Sequence, residues 1–239
     1  MTKTDYILTQ TSNRQYALPD RKWKYFQEWH DTLFLNWKVP KVLLEKHIPK
    51  ELELDTFNNM AWVSLVAFEV KKMRPRNLPA IPYVSNFHEI NVRTYVIKNG
   101  IPGIYMFSIE TNKFIEVLLT RFFIGLPYQK SNIKRTKTAL SSNNETSNYH
   151  LNVHCTIEPY HVKKTAVNLW LTERHALYEK CRGKICRFDI HHKEWELQKV
   201  HPKIHSIKHN AGDYALSAHP DSFYYSKKID VVFWAKKEV

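Results

Sequence analysis

A mainly β fold, either a barrel or a wrapped sheet with a few helices laid across it, follows from three observations on this 239-residue sequence. Several short segments alternate apolar and polar side chains with period two, as half-buried strands do. Asn-Gly and Arg-Gly pairs supply hairpin chemistry between them. Only two stretches carry apolar residues at helical spacing. The length suits one all-β domain with a real core, and 43% hydrophobic and 13% aromatic residues are far from compositions that stay unfolded.

Residues 1 to 22 are polar and aperiodic, and are expected as a loosely held lead-in, with the fold beginning near Trp23. Pro40 and Pro49 bracket a helix of about two turns over 41–47. Met60 to Val70 is a near-continuous apolar run too short to span a membrane, hence a core strand. Three prolines between Lys71 and Pro82 predict a long loop. In Glu89 to Val96, Glu89, Asn91, Arg93 and Tyr95 share one strand face, and Ile90, Val92, Thr94 and Val96 the other. Asn99-Gly100 turns the chain into a return strand, Ile104 to Ile109, through a loop expected to exceed two residues. Phe114, Val117, Leu118 and Phe122 predict an amphipathic helix over 113–124, ended by Gly125 and Pro127. Arg121 falls on its apolar stripe, where a charge needs a carboxylate partner or a polar cavity.

Lys134 to Tyr149 is polar and is expected as an exposed connection. His150 to Ile157 alternates again. Glu173 to Tyr178 and Ile185 to His192 flank Cys181-Arg182-Gly183-Lys184 as a hairpin, and Ser222 to Trp234 supplies the last strands.

The net charge of +13 is spread along the chain, and its small basic clusters do not alternate with aromatics. A solvated surface therefore explains it better than nucleic-acid binding. The N-terminus lacks a signal-peptide layout and no apolar run reaches 18 residues, so a cytoplasmic location and no membrane partner are expected. The 3 cysteines suit free thiols rather than a disulfide framework. Neighbours in a strand point to opposite faces, so His191 and His192 cannot share one ion, and Pro202 interrupts the helical spacing of His201, His205 and His209. No metal and no cofactor are expected. Serine-nucleophile motifs, phosphate loops and dinucleotide fingerprints are absent.

The face carrying Glu89, Asn91, Arg93 and Tyr95 fits either bulk water or the inside of a barrel. Thr172 to Tyr178 and Arg187 to Trp195 bring acids, bases and aromatics onto neighbouring strands, where Arg174, Tyr178 and His191 could orient a carbonyl or carboxylate; cross-strand ion pairs are the simpler reading. Lys130, just after Pro127-Tyr128-Gln129, is the best-placed lysine for a Schiff base.

Ile48-Pro49-Lys50-Glu51-Leu52-Glu53-Leu54-Asp55-Thr56-Phe57, Ala61-Trp62-Val63, Asn91-Val92-Arg93-Thr94-Tyr95-Val96, Gly125-Leu126-Pro127-Tyr128, Thr172-Glu173-Arg174 and Ile190-His191-His192 with Trp195 resemble the uncharacterised YqjF-like family, over about Trp23 to Lys199. The resemblance implies the acetoacetate-decarboxylase-like superfamily, whose fold is a β-barrel or cone with a central pocket and a few peripheral helices. It implies one such domain over 23–239, with Glu89, Asn91 and Arg93 facing the pocket. The decarboxylases of that superfamily use two consecutive lysines, the second lowering the pKa of the first. Here one lysine, Lys130, follows Tyr128-Gln129, and Arg74 and Arg76 stand where a carboxylate would be wanted. The expectation is an enzyme acting on a small carbonyl or carboxylate compound other than acetoacetate, or a binding or sensing protein using the same pocket without chemistry. Arg93 and Arg121 would hold an anion, Glu89 or Glu173 act as acid or base, and Tyr95, Tyr128 or Tyr178 donate hydrogen bonds.

Overall fold

The computed structural model describes residues 2–113 and 126–239, with backbone alone at Pro82 and Tyr83. Apart from its first residue, the helix expected over 113–124 lies outside them, and Arg121 with it.

The strands are β1 (Tyr25–Val39), β2 (Glu53–Leu54), β3 (Ala61–Pro75), β4 (Phe87–Lys98), β5 (Ile101–Thr111), β6 (Tyr128–Lys130), β7 (Asn132–Arg135), β8 (Ala139–Asn144), β9 (Tyr149–His161), β10 (Ala176–Cys181), β11 (Lys184–His192), β12 (Gln198–Lys208), β13 (Asn210–Ala211), β14 (Tyr214–Ala215), β15 (Ser222–Phe233) and β16 (Lys237–Glu238). Short helices are α1 (Lys3–Thr9), α2 (Val42–Glu45), α3 (Pro82–Ser85) and α4 (Ala166–Thr172).

Seven strands close into a ring, β1-β3-β4-β5-β10-β11-β15-β1. Three joints are far apart in sequence: the antiparallel pair β1–β15, through Leu33 and Tyr225, the parallel pair β5–β10, through Leu177 and Ile104, and the antiparallel pair β11–β15, through Ile190 and Phe233. Closure removes the exposed edges that an open sheet would leave. From β15 the sheet continues through β12, β9, β8 and β7, which fold over the outside of the ring. Two apolar layers result. Phe34, Val66, Phe68, Ile104, Ile109, Leu177 and Phe233 fill the ring, while Leu35, Leu65, Val92, Leu140, Val153 and Val200 pack between ring and outer strands. β3 is buried on both faces, which is why Met60 to Val70 reads as a continuous apolar run.

Several local expectations are revised. Asn99 and Gly100 have φ of 52° and 72°, and Lys98 pairs directly with Ile101. The loop is therefore a two-residue turn and not longer, because β5 absorbs Ile101-Pro102-Gly103. Residues 134–149 are not a bare connection: β7 and β8 run through them, with Leu140 and Asn144 buried. β3 reaches Pro75, shortening the loop that follows. Glu173 is the C-cap of α4, not the start of a strand. The N-terminal segment forms α1, buries Ile7 to 1% exposure, and docks Asn13, Arg14 and Tyr16 against β11 and its neighbours. The three cysteines are free thiols. Among the described residues no helix is long and apolar enough to cross a membrane.

Candidate active site inside the barrel

β4 places Glu89, Asn91 and Arg93 on the inner face and Ile90, Val92 and Val96 on the outer. Of the two readings that the alternation allowed, the barrel interior is the one observed. The cavity is lined by Gln27 and Trp29 of β1, Phe68 of β3, Ile104, Met106 and Ile109 of β5, Leu177, Ile190 and Phe233, with Leu126 and Tyr128 beside them. Each of the seven ring strands contributes to this wall. Counted out to its mouth, with open solvent included, the empty space is about 450 Å³, of which about 40 Å³ is room for water-sized groups.

Register explains the assembly. Asn91 pairs with Ile109 on β5, and Ile109 pairs with Tyr128 on β6, so the tyrosine stands two strands from the β4 polar row. A register shift in the β4–β5 ladder after Val92 opposes Arg93 to Met106 and passes over Phe107. The shift lets Ile104 and Met106, and then Ile109, all face inward.

The Tyr128 hydroxyl donates to Glu89 Oε2 at 3.3 Å, and the Asn91 amide donates to Glu89 Oε1 at 3.3 Å. Burial raises the Glu89 carboxyl to about 7, against the smaller opposing pull of those two donors and of Arg93. Burial, together with the adjacent carboxylate, holds the Tyr128 phenol well above 10. Asn91 Oδ1 and Arg93 Nε are buried polar atoms with no hydrogen-bond partner among the described residues. Groups of this kind are costly unless something else satisfies them. The cavity therefore offers an acid with a mid-range pKa, a cation, a phenol donor and the amides of Asn91 and Gln27 within an otherwise apolar wall.

The remaining sequence candidates stand elsewhere. Tyr95 shares the face of Arg93 but is fully buried at 0% exposure, its hydroxyl tied to Ser64 Oγ at 2.5 Å and the Leu171 carbonyl at 3.1 Å. Arg174 stacks on Trp170 and Tyr95 and donates to Asp55 at 2.6 Å. Tyr178 donates to the Ile101 carbonyl at 2.9 Å. His191 lies under the N-terminal segment, against Arg14 and the Ile7 carbonyl. Glu173 is buried beneath the same segment, bonded to Lys164 at 2.6 Å and Asn13 at 2.7 Å. Lys130 is exposed on β6. Gln27 and Trp29 were not anticipated. They sit on β1, whose pattern is broken by two bulges, and the Trp29 indole donates to Gln27 Oε1 at 2.6 Å, leaving the Gln27 amide donors toward the cavity.

Comparison with known proteins places this geometry in context. The family model DUF2071, described as uncharacterized conserved protein, matches residues 26–230. The uncharacterized protein YqjF of Bacillus subtilis is 35% identical over 229 residues, covering 92% of this chain and 95% of its own. Among solved structures, the enduracididine biosynthesis enzyme MppR complexed with pyruvate superposes with a TM-score of 0.63 at 10% identity, covering 94% of this chain and 93% of that one. An acetoacetate decarboxylase-like enzyme from Sphingomonas wittichii RW1 gives 0.60 at 10% identity, covering 94% and 97%. At such identities the structural likeness establishes the fold: the acetoacetate-decarboxylase-like barrel with few helices.

Proposed function

The chain belongs to the DUF2071 family of uncharacterized conserved proteins, and from that premise we propose that its barrel interior binds a small carboxylate-bearing carbonyl compound and moves a proton on it. The observation that carries this reading is the juxtaposition, in one cavity, of Glu89 with its carboxyl raised to about 7 and Arg93 with an unpartnered buried Nε. A general acid–base catalyst works best when its pKa lies near the working pH. Arg93 supplies the cation that would receive the ligand's carboxylate or the oxyanion of an enolate.

In the proposed step, ionised Glu89 takes a proton from the carbon next to the carbonyl. The C–H electron pair moves into the C–C bond and the carbonyl pair onto oxygen, which Arg93 and the Tyr128 hydroxyl stabilise. Glu89 then trades that proton with water and returns one to the carbon, an exchange whose only other reactant is solvent. The fold neighbour with bound pyruvate supports a ligand of this size and charge.

The test uses pyruvate itself. In heavy water, proton NMR should show its methyl protons exchanging faster with the protein than without, and Glu89→Gln should abolish the gain while pyruvate still raises the melting temperature. Arg93→Gln should lose the melting-temperature effect. A melting-temperature rise without exchange would replace catalysis with plain ligand binding or sensing, the second use of the same cavity. Lys130 gives an independent arm: a borohydride-trapped pyruvate adduct on Lys130 would overturn the acid–base scheme in favour of a Schiff base.

A further inference from the structure

We infer that Glu173, His175 and His192 form a second site, separate from the barrel cavity, that binds one divalent first-row transition ion of the zinc type beneath the N-terminal segment. One ligand atom from each of the three lies within 4.8 Å of the other two, and all three residues are buried, at 4%, 1% and 2% exposure. Two elements bring them together. Glu173 caps α4 and His175 follows two residues later, while His192 ends β11 beside them. The two imidazoles face each other with ring centres 4.6 Å apart.

The surrounding hydrogen bonds set both imidazoles for ligation. His175 Nε2 lies 3.3 Å from the Asn13 carbonyl, which accepts and thereby places the proton on that nitrogen. The lone pair is then on Nδ1, a buried atom with no partner. His192 Nδ1 lies 2.7 Å from the Lys193 carbonyl and 3.9 Å from Glu173 Oε2; with the proton on Nδ1, the lone pair is on Nε2. A backbone carbonyl pinning the non-ligating N–H is the usual outer shell of a metal-bound histidine. Two imidazoles and a carboxylate are donors for zinc or ferrous iron, not for calcium or magnesium.

Two features set the conditions for binding. Tetrahedral zinc at bonds of about 2.0–2.1 Å wants donor atoms roughly 3.3 Å apart, so from within 4.8 Å of one another the ligand atoms must draw in by up to about 1.5 Å. Lys164 Nζ lies 2.6 Å from Glu173 and 3.2 Å from Glu194, and an arriving cation would shift it toward Glu194. Asn13 bonds both Glu173 and His175, so an occupied site would fasten the N-terminal segment to the barrel. Trp195 stands between this site and the cavity, packed on His192 at 5.4 Å and on Trp29 at 6.0 Å.

The test is made on the full chain, stripped with a chelator, dialysed, and titrated with zinc and with cobalt(II). The background variant H154Q/H205Q removes an exposed histidine pair, 3.2 Å apart, that could bind zinc on its own. In that background one equivalent should bind, cobalt should give the intense visible bands of a four-coordinate ion, and the melting temperature should rise with zinc concentration. His175→Gln and His192→Gln should each weaken binding by roughly 100-fold or more. If either variant fails to fold, the zinc-dependent melting temperature and cobalt bands of the background protein decide. Absence of both, or one equivalent retained unchanged in a folded His175→Gln, overturns the site.

Discussion

The Tyr128 hydroxyl donates to Glu89 Oε2 at 3.3 Å from a strand two places along the sheet, with Asn91 on the other carboxylate oxygen. The Asn91 contact lies within β4 itself, but the Tyr128 contact exists in no single hairpin. β5 must lie between β4 and β6, in the observed register, for the phenol to reach the acid. The acid is thus tuned by the β4–β5–β6 register.

One consequence is a pH-dependent stability. Glu89 titrates at about 7 in the folded protein, against an ordinary 4.5. The raised value means that the folded state holds the proton more tightly, so the associated stability is fully present below 4.5 and is lost as pH rises through 7. The difference corresponds to roughly 3 kcal/mol at most. Urea unfolding of wild type should show this decline between pH 5 and 8, and Glu89→Gln should remove most of it. Equal pH slopes for the two proteins would show that the carboxyl is solvated.

Removing the phenol donor should move the same group. Tyr128→Phe deletes a hydrogen bond that favours the carboxylate, so the Glu89 pKa should rise further, by up to about one unit. Carbon NMR of labelled glutamate side chains reads this directly. An unchanged or lowered value would mean that Tyr128 does not donate to Glu89.

Much of this was legible in the sequence, and the limits have physical causes. Glu89, Asn91 and Arg93 stand out because strict period two separates them from Ile90, Val92 and Val96. Which face looks inward depended on closure through β5–β10 and β11–β15, pairings that no local pattern announces. β1 escaped notice because bulges near Gln27 and Asp31 break its alternation, Asp31 taking a φ of 51°. That loss hid Gln27 and Trp29, two cavity residues. Glu173 reads as a strand acid, yet it ends α4, and its partners Asn13 and Lys164 are 160 and 9 residues away. The turn at Asn99-Gly100 was visible, but its length was not, because β5 accepts Pro102 and Gly103 as strand residues.

Glu173 should be as important to stability as a core side chain. Beyond Lys164 and Asn13, it accepts from the Trp195 backbone N–H at 3.2 Å. Glu173→Ala leaves the buried Lys164 ammonium with only the half-exposed Glu194, 3.2 Å away. Breaking one side of a buried pair costs about 3–5 kcal/mol. Glu173→Gln retains the shape and should cost less. Denaturant titration of both variants checks the order, and a loss below 1 kcal/mol for the alanine variant would mean that water reaches Lys164.

The parallel joint that closes the ring imposes a further constraint. β5 approaches β10 so closely at Gly103 that a Cβ there would lie 2.6 Å from the Tyr178 ring and 2.7 Å from the Ala176 carbonyl oxygen. The ring could swing, but the carbonyl is backbone, and Tyr178 is itself held by its bond to the Ile101 carbonyl at 2.9 Å. Gly103→Ala should therefore destabilise by about 1–3 kcal/mol through overpacking, although alanine is otherwise a better strand residue than glycine. Because Ile104, next in the chain, pairs with Leu177 and both line the cavity, the strain should reach the site. The variant should show a lowered melting temperature together with a weakened melting response to pyruvate. Gly100→Ala tests a different cost: no atom lies within 4 Å of its Cβ position, but its φ is +72°. That variant should lose stability through backbone strain while the ligand response stays intact. If Gly103→Ala proves as stable as wild type, β5 and β10 are farther apart at the seam than these distances require.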